Sequence, residues 1–431
     1  MKKIFIIPLA GVMLLAGLVG CHEKVSESAF DRYFEPKSLR VDFALEGNSD
    51  HQTAEITRLS EEPVWGGPRR NLIEPFEYGG YIVRLYSAEG EVIYTRTFNT
   101  LFDEWRTTEE ARTETQRWDN SMTVPMPRVP VTLELAERHK SDMEYHTLLR
   151  TAIDPAETTI QRRDLPENRV LTIQDNGDPA TKVDLVFLAE GYTAGEQDKF
   201  RADAERFTEA LFATPPFGDH RGDFNVWAVA LESADTGTTN PGANDYRNTA
   251  LHSTFYTFGI DRYLTTSDIG AIRDAVWNVP CDAAFVLVNE PTYAGGGIYN
   301  FYAIGTSDNP MTLRVFTHEL GHSLGGLADE YYTSEVAYLD YYNQAFEPAE
   351  PNITTLIDFG RKWEDMLAEG TPVPTPATKD NLATVGVYEG GGYVEKGVYR
   401  PMVNCMMRNN VDFCPVCQRA LVRMIDYLCD K

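Results

Sequence analysis

His318-Glu319-Leu320-Gly321-His322 is the stretch of this chain whose residue types and spacing most directly define a chemistry. On a helix, positions i and i+4 share a face, so the two imidazoles can close on one metal ion. The carboxylate of Glu319, one residue after the first histidine, then reaches a water bound to that ion. A metal-activated water beside a carboxylate base is equipment for hydrolysing a peptide bond, with Glu319 moving the proton. The competing reading is a surface helix that carries two histidines by chance, in a chain with 8 of them. The flanks argue against it. Asp308-Asn309-Pro310 supplies a capping side chain and a proline for a first turn. Leu313, Phe316, Leu320 and Leu324 recur at helical spacing as one buried face. Met311, Val315, His318, His322 and Gly325 form a second stripe, and Gly325-Gly326 offers a left-handed stop.

A catalytic zinc takes three protein ligands and keeps a fourth position for water, so one Zn2+ per chain is expected. Metzincins turn the chain at a glycine three residues past the second histidine and place the third ligand three residues later. Gly325 stands at that glycine position, but Ala328 stands where the ligand would be. Asp329 is the nearest group able to bind, with the extra Gly326 absorbing the offset. Glu330 is the rival, and either carboxylate can instead cap a turn or hydrogen-bond to the histidines. Tyr331, Tyr332 and Tyr299 are candidates to assist the developing oxyanion, each with core packing as the plainer alternative.

The run His318 to Tyr332 resembles the bacterial IgA-peptidase family of zinc metallopeptidases, whose signature continues from H-E-x-x-H into G-L-A-D-E-Y. Upstream, Phe187 to Thr193 is similar to the family's strand-to-helix segment, and Phe224 to Val229 to the strand that follows. Downstream, Asn404-Cys405-Met406-Met407-Arg408 resembles its methionine turn. The likeness covers most of residues 166–431. It implies a zincin-like catalytic domain, with a mixed sheet above the active-site helix and Met406 or Met407 beneath the metal. By the same likeness, Gly295 to Gly305 is expected to hold the edge strand that a substrate peptide pairs with; a flexible glycine loop is the alternative. The family name points to immunoglobulin A or another host glycoprotein as substrate.

The N-terminus gives an address. Met1-Lys2-Lys3, the apolar run Ile4 to Leu15 and Leu18-Val19-Gly20-Cys21 read as a signal peptide ending in a lipobox. Residues 1–20 are expected to be removed and Cys21 acylated, with residues 21–36 as a tether. That makes the chain a lipoprotein of the bacterial cell envelope, anchored at the outer membrane or cell surface. The formal charge of −26 repels nucleic acid, so no nucleic-acid partner is expected. The partners left are a protein or peptide substrate and the membrane through the lipid; oligomeric state is not legible.

The elements that must position the site read as an α+β/α/β chain. Residues 37–150 carry alternating runs such as Leu39-Val41-Phe43-Leu45 and Val129-Val131-Leu133-Leu135, and a hairpin around Ala88-Glu89-Gly90. They are expected to form an antiparallel β-sandwich of half-buried strands, acting as a spacer or as a glycan- or protein-binding module. Residues 151–165 read as a linker, and 166–431 as the metallopeptidase domain. There, apolar runs at Val183–Ala189, Val226–Leu231 and Phe285–Val288 alternate with amphipathic helices at Gly195–Phe212 and Ser267–Trp277, a mixed-sheet pattern. Cys405, Cys414, Cys417 and Cys429 lie close in sequence while Cys281 stands apart. An exported chain favours one disulfide from Cys405 over a second zinc. Besides an endopeptidase acting on extracellular or envelope proteins, the sequence admits an adhesin or glycan-binding lipoprotein with a non-catalytic metal site.

Overall fold

The computed structural model describes residues 28–156, 159–163, 165–333 and 341–431. The expected signal peptide and Cys21 lie outside the described residues. Residues 28–36, expected within the tether, are instead folded. Ser28 caps the short helix α1 (Ala29–Tyr33), and Phe30 and Phe34 are buried. Apolar rings of this size gain more by joining a core than by staying in water.

The N-terminal half forms two four-stranded sheets. Its strands are β1 (Phe34–Gly47), β2 (Gln52–Glu62), β3 (Tyr81–Tyr86), β4 (Val92–Phe98), β5 (Gln116–Pro127), β6 (Val131–Arg138), β7 (Tyr145–Ile153) and β8 (Ile160–Arg162). One sheet runs β5-β1-β2-β8 and the other β4-β3-β6-β7. All pairs are antiparallel except β2 with β8. A shared core holds Phe43 from the first sheet, Tyr81 and Leu133 from the second, and Phe102 and Trp105 from helix α2 (Leu101–Trp105). The expected linker contributes the end of β7 and all of β8, so it is part of the sheets. The half-buried reading of β1 also fails, because Arg40 and Asp42 on its outer face are buried too. A helix of the C-terminal half covers that face, and Arg40 Nη1 donates to Asp274 Oδ1 at 2.5 Å.

The C-terminal half centres on a six-stranded sheet. Its strands are β9 (Val170–Gln174), β10 (Val183–Glu190), β11 (Phe224–Val229), β12 (Ala283–Val288), β13 (Gly295–Ile298) and β14 (Tyr302–Thr306), in the order β13-β14-β12-β10-β11-β9. The four inner strands are parallel, and both edge strands run antiparallel to their neighbours. Every residue of β10 is buried, as a strand covered on both faces requires. Leu185 and Phe187 face helix α3 (Gln197–Phe212), while Val186 and Leu188 face α4 (Ile269–Val276), the helix that also covers β1. Under the α3 face lies α5 (Thr312–Ser323), which carries the histidines. Phe316 fixes it there, with ring centroids 4.7, 5.1 and 5.7 Å from those of Phe285, Phe207 and Phe187. A hairpin of β15 (Tyr388–Gly391) and β16 (Val394–Arg400), the short α6 (Met406–Asn409) and the C-terminal α7 (Pro415–Leu428) complete the surroundings. Among the described residues, no helix is long and apolar enough to cross a membrane.

Candidate functional site

Helix α5 begins at Thr312, with Asn309 Oδ1 accepting the Met311 N–H at 3.0 Å, and ends where Gly326 takes φ +62°. Its upper face meets the edge strand β13 so closely that a Cβ on Gly297 would sit 2.4 Å from the Glu319 carbonyl oxygen. The glycine run is therefore required by the helix–strand approach. It forms an ordered strand rather than a flexible loop. The outer edge of β13 carries one isolated bridge, from Tyr263 to Gly295.

On α5 the two histidines converge. His318 Nδ1 lies 2.9 Å from the Met406 carbonyl oxygen, and His322 Nδ1 lies 2.6 Å from that of Leu327. Each carbonyl accepts the ring N–H, which aims both Nε2 lone pairs inward. The two Nε2 atoms are 3.1 Å apart. Asp329 Oδ1 completes a triangle, at 3.0 Å from His318 Nε2 and 3.4 Å from His322 Nε2. Donors bound at about 2.0–2.1 Å to a tetrahedral ion stand roughly 3.3 Å from one another, so the triangle has the size of a zinc site. Asp329 Oδ1 is buried and accepts no well-formed hydrogen bond among the described residues. Two imidazole nitrogens and a carboxylate oxygen facing one another at these distances fit a cation between them.

Glu319 also brings an oxygen within 4.8 Å of both imidazoles. Asp329 stands nearer the imidazoles, at 3.0 and 3.4 Å, and Glu319 lies beside the triangle, against Gly295 and Val315. Burial pushes the Glu319 carboxyl above its ordinary range, and the neighbouring histidines only partly offset this. Without an ion, Asp329 outweighs burial and raises both imidazoles, His322 to about 9. The histidines in turn overcome burial and hold Asp329 well below the usual carboxylate range.

The rival ligand Glu330 is elsewhere. Its backbone N–H donates to the Met407 carbonyl at 2.7 Å, and its carboxylate turns away from the histidines toward Cys417. Asp329 faces the histidines while Glu330 faces Cys417, so the two carboxylates do not serve one ion. Tyr331 lines the cleft above the histidines. Tyr332 does not: its ring packs against Gly390, with the Arg400 and Arg408 guanidinium groups 5.7 and 6.0 Å from its centroid. Tyr299 borders the cleft, but its hydroxyl donates to Glu74 Oε1 at 3.1 Å, which removes it from oxyanion duty. Met406 and Met407 are fully buried below α5, and a Cβ on Gly321 would meet Met407 Sδ at 2.8 Å. The disulfide expected from Cys405 is not formed; Cys281, Cys405, Cys414, Cys417 and Cys429 are all thiols. Cys405 Sγ stands 3.6 Å from Cys417 Sγ, outside bonding distance, within a larger group of donors.

Sequence reasoning missed Tyr393, whose hydroxyl donates to Asp329 Oδ2 at 2.5 Å. It also missed the N-terminal wall of the cleft, where Tyr78, Asn99 and Glu104 join the C-terminal lining around about 260 Å³ of space. No local pattern marks either, since both depend on contacts distant in sequence.

An imidazole pair and a carboxylate on a buried helix, beside a glycine edge strand and an open cleft, define a metallopeptidase-type centre. The model of the family described as IgA Peptidase M64 matches residues 171–385 and 379–425, and that of the Peptidase M64 N-terminus matches residues 29–148. The chain belongs to the M64 peptidase family. No curated protein matches it.

Proposed function

We propose that this chain is a zinc-dependent endopeptidase with a zincin-like catalytic half, in which His318, His322 and Asp329 hold the ion. The observation that carries the reading is the triangle of Nε2, Nε2 and Oδ1 atoms at 3.0–3.4 Å, with Glu319 beside it. Zinc bound there would polarise a peptide carbonyl and bring the pKa of its water to about 7. Glu319 is the base. From its place beside the triangle its carboxylate takes a proton from water and passes it to the leaving amine. The outer edge of β13 is the site for an extended peptide, bound by main-chain hydrogen bonds beyond the Tyr263 bridge. Tyr393 holds Asp329 in the orientation that binding needs.

Extracellular or envelope proteins, immunoglobulin A among them, are the proposed substrates. Leu18-Val19-Gly20-Cys21 supports a lipid-anchored protein of the bacterial envelope, where such substrates are met. Glu319→Ala tests the catalytic role. The variant is expected to keep its zinc while peptide-library cleavage falls by about 10²–10⁴-fold. Full cleavage at unchanged metal content would remove Glu319 as the base.

A further inference from the structure

Behind the cleft, on the other side of the Asp329–Glu330 peptide, a second set of donors converges. Glu330, Cys405, Cys414 and Cys417 are all buried, and one donor atom from each lies within 4.8 Å of the others. Cys405 Sγ is 3.6 Å from Cys417 Sγ, which is 3.3 Å from Glu330 Oε1. Around a tetrahedral zinc with Zn–S of about 2.3 Å and Zn–O of about 2.0 Å, such edges measure roughly 3.8 and 3.5 Å. The backbone is arranged for anionic sulfur. The Cys414 N–H donates to Cys405 Sγ at 3.4 Å and the Cys417 N–H to Cys414 Sγ at 3.5 Å. Cys414-Pro415-Val416-Cys417 sets two of the sulfurs at the N-terminus of the 14-residue α7, where the helix dipole favours negative charge.

Glu330 supplies an independent observation. Its Oε1 accepts from Asn352 Nδ2 at 3.0 Å, yet its Oε2 is buried without a hydrogen-bond partner among the described residues. The guanidinium of Arg400, an obvious counter-charge, spends Nη1 on the Glu389 and Gly390 carbonyls. A fully buried carboxylate with an orphaned oxygen, facing three sulfurs, calls for a cation.

We propose that Glu330, Cys405, Cys414 and Cys417 form a second metal site, a closed structural zinc centre distinct from the open one in the cleft. Three soft thiolates select zinc over calcium or magnesium, and four protein ligands leave no position for water. On loading, the protons held by the thiols and by the buried Glu330 carboxyl pass to solvent. The site fixes both segments on which the cleft depends. Glu330 follows Asp329 directly, and Cys405 precedes Met406, whose carbonyl orients His318. The inference does not rest on the catalytic reading.

The decisive measurement is the zinc content of the full chain carrying His318→Ala and His322→Ala, after loading with excess Zn2+ and desalting. One zinc per chain is expected; none overturns the proposal. Alkylation mass mapping of the wild-type protein, without reductant, gives an answer even if that variant fails to fold. Cys405, Cys414 and Cys417 should all resist alkylation when zinc-loaded, and all three should be labelled after chelation under denaturing conditions. A disulfide joining any two of them overturns it. Loss of zinc from the cleft alone would leave both readouts unchanged, so failure of the catalytic reading can be told apart.

Discussion

At the scale of single residues, Asp329 is the centre of the site's electrostatics. In the absence of an ion it raises both imidazoles, and His322 is carried to about 9 although burial opposes this. A pKa raised above the ordinary 6.5 stabilises the fold fully below that value, and the contribution is lost as pH rises through about 9. Chelated protein should therefore lose on the order of 3 kcal/mol between pH 6.5 and 9, while zinc-loaded protein, with neutral imidazoles throughout, should not. Thermal melts at both pH values, with and without chelator, would show it. Equal pH sensitivity of the two forms would contradict the coupling. Tyr393 gives a second prediction at this scale. Its hydroxyl binds the Asp329 oxygen that does not face the histidines. Tyr393→Phe should weaken zinc binding about 10–100-fold with the fold intact, measured by competition with a chromophoric chelator.

At the scale of elements, α5 is held by its aromatic anchor and by the glycine strand above it. Phe316 is fully buried among three phenylalanines, and Phe316→Ala should cost about 3–5 kcal/mol in urea unfolding. Much of this framework was legible in the chain. Short, largely apolar runs mark β10 and β12 because strands covered on both faces bury nearly every side chain. The histidine pair and Phe316 mark α5 because a helix repeats its faces locally. What escaped was whatever depends on distant contacts. The outward face of β1 looked solvated because nothing in its own alternation announces α4. β8 is only three residues long and exists through its pairing with β2. Glu330 looked like a rival ligand because sequence places it next to Asp329, whereas the folded chain sends the two carboxylates to different partners, the histidines and Cys417. The cysteines suggested a disulfide because spacing alone cannot show a fourth donor arriving from residue 330.

At the scale of the whole molecule, the N-terminal sheets are a wall of the cleft as well as a neighbour of it. Asn99 donates its N–H to the Tyr299 carbonyl at 2.9 Å, and Asn300 Nδ2 reaches the Thr97 carbonyl at 2.8 Å, so the hairpin β3–β4 and the turn after β13 are tied together. The C-terminus completes the seam. Asp430 accepts the backbone N–H groups of Arg69, Arg70 and Asn71 at 2.8–3.0 Å. From there an aromatic chain leads to the site: Tyr427 meets Phe76 at 5.7 Å, Phe76 stacks on Tyr78 at 5.3 Å, and Tyr78 lines the cleft. Asp430→Ala removes the acceptor for all three donors without touching a metal ligand. It should cost about 1.5–3 kcal/mol of stability, the scale of a hydrogen bond to a charged group, since water can replace part of the set. Because Tyr78 would lose its support while Glu319 and the triangle stay in place, KM should rise several-fold with kcat and zinc content nearly unchanged. A fall in kcat with KM constant would mean that the seam acts on the catalytic helix instead, and that the N-terminal sheets take no part in holding substrate.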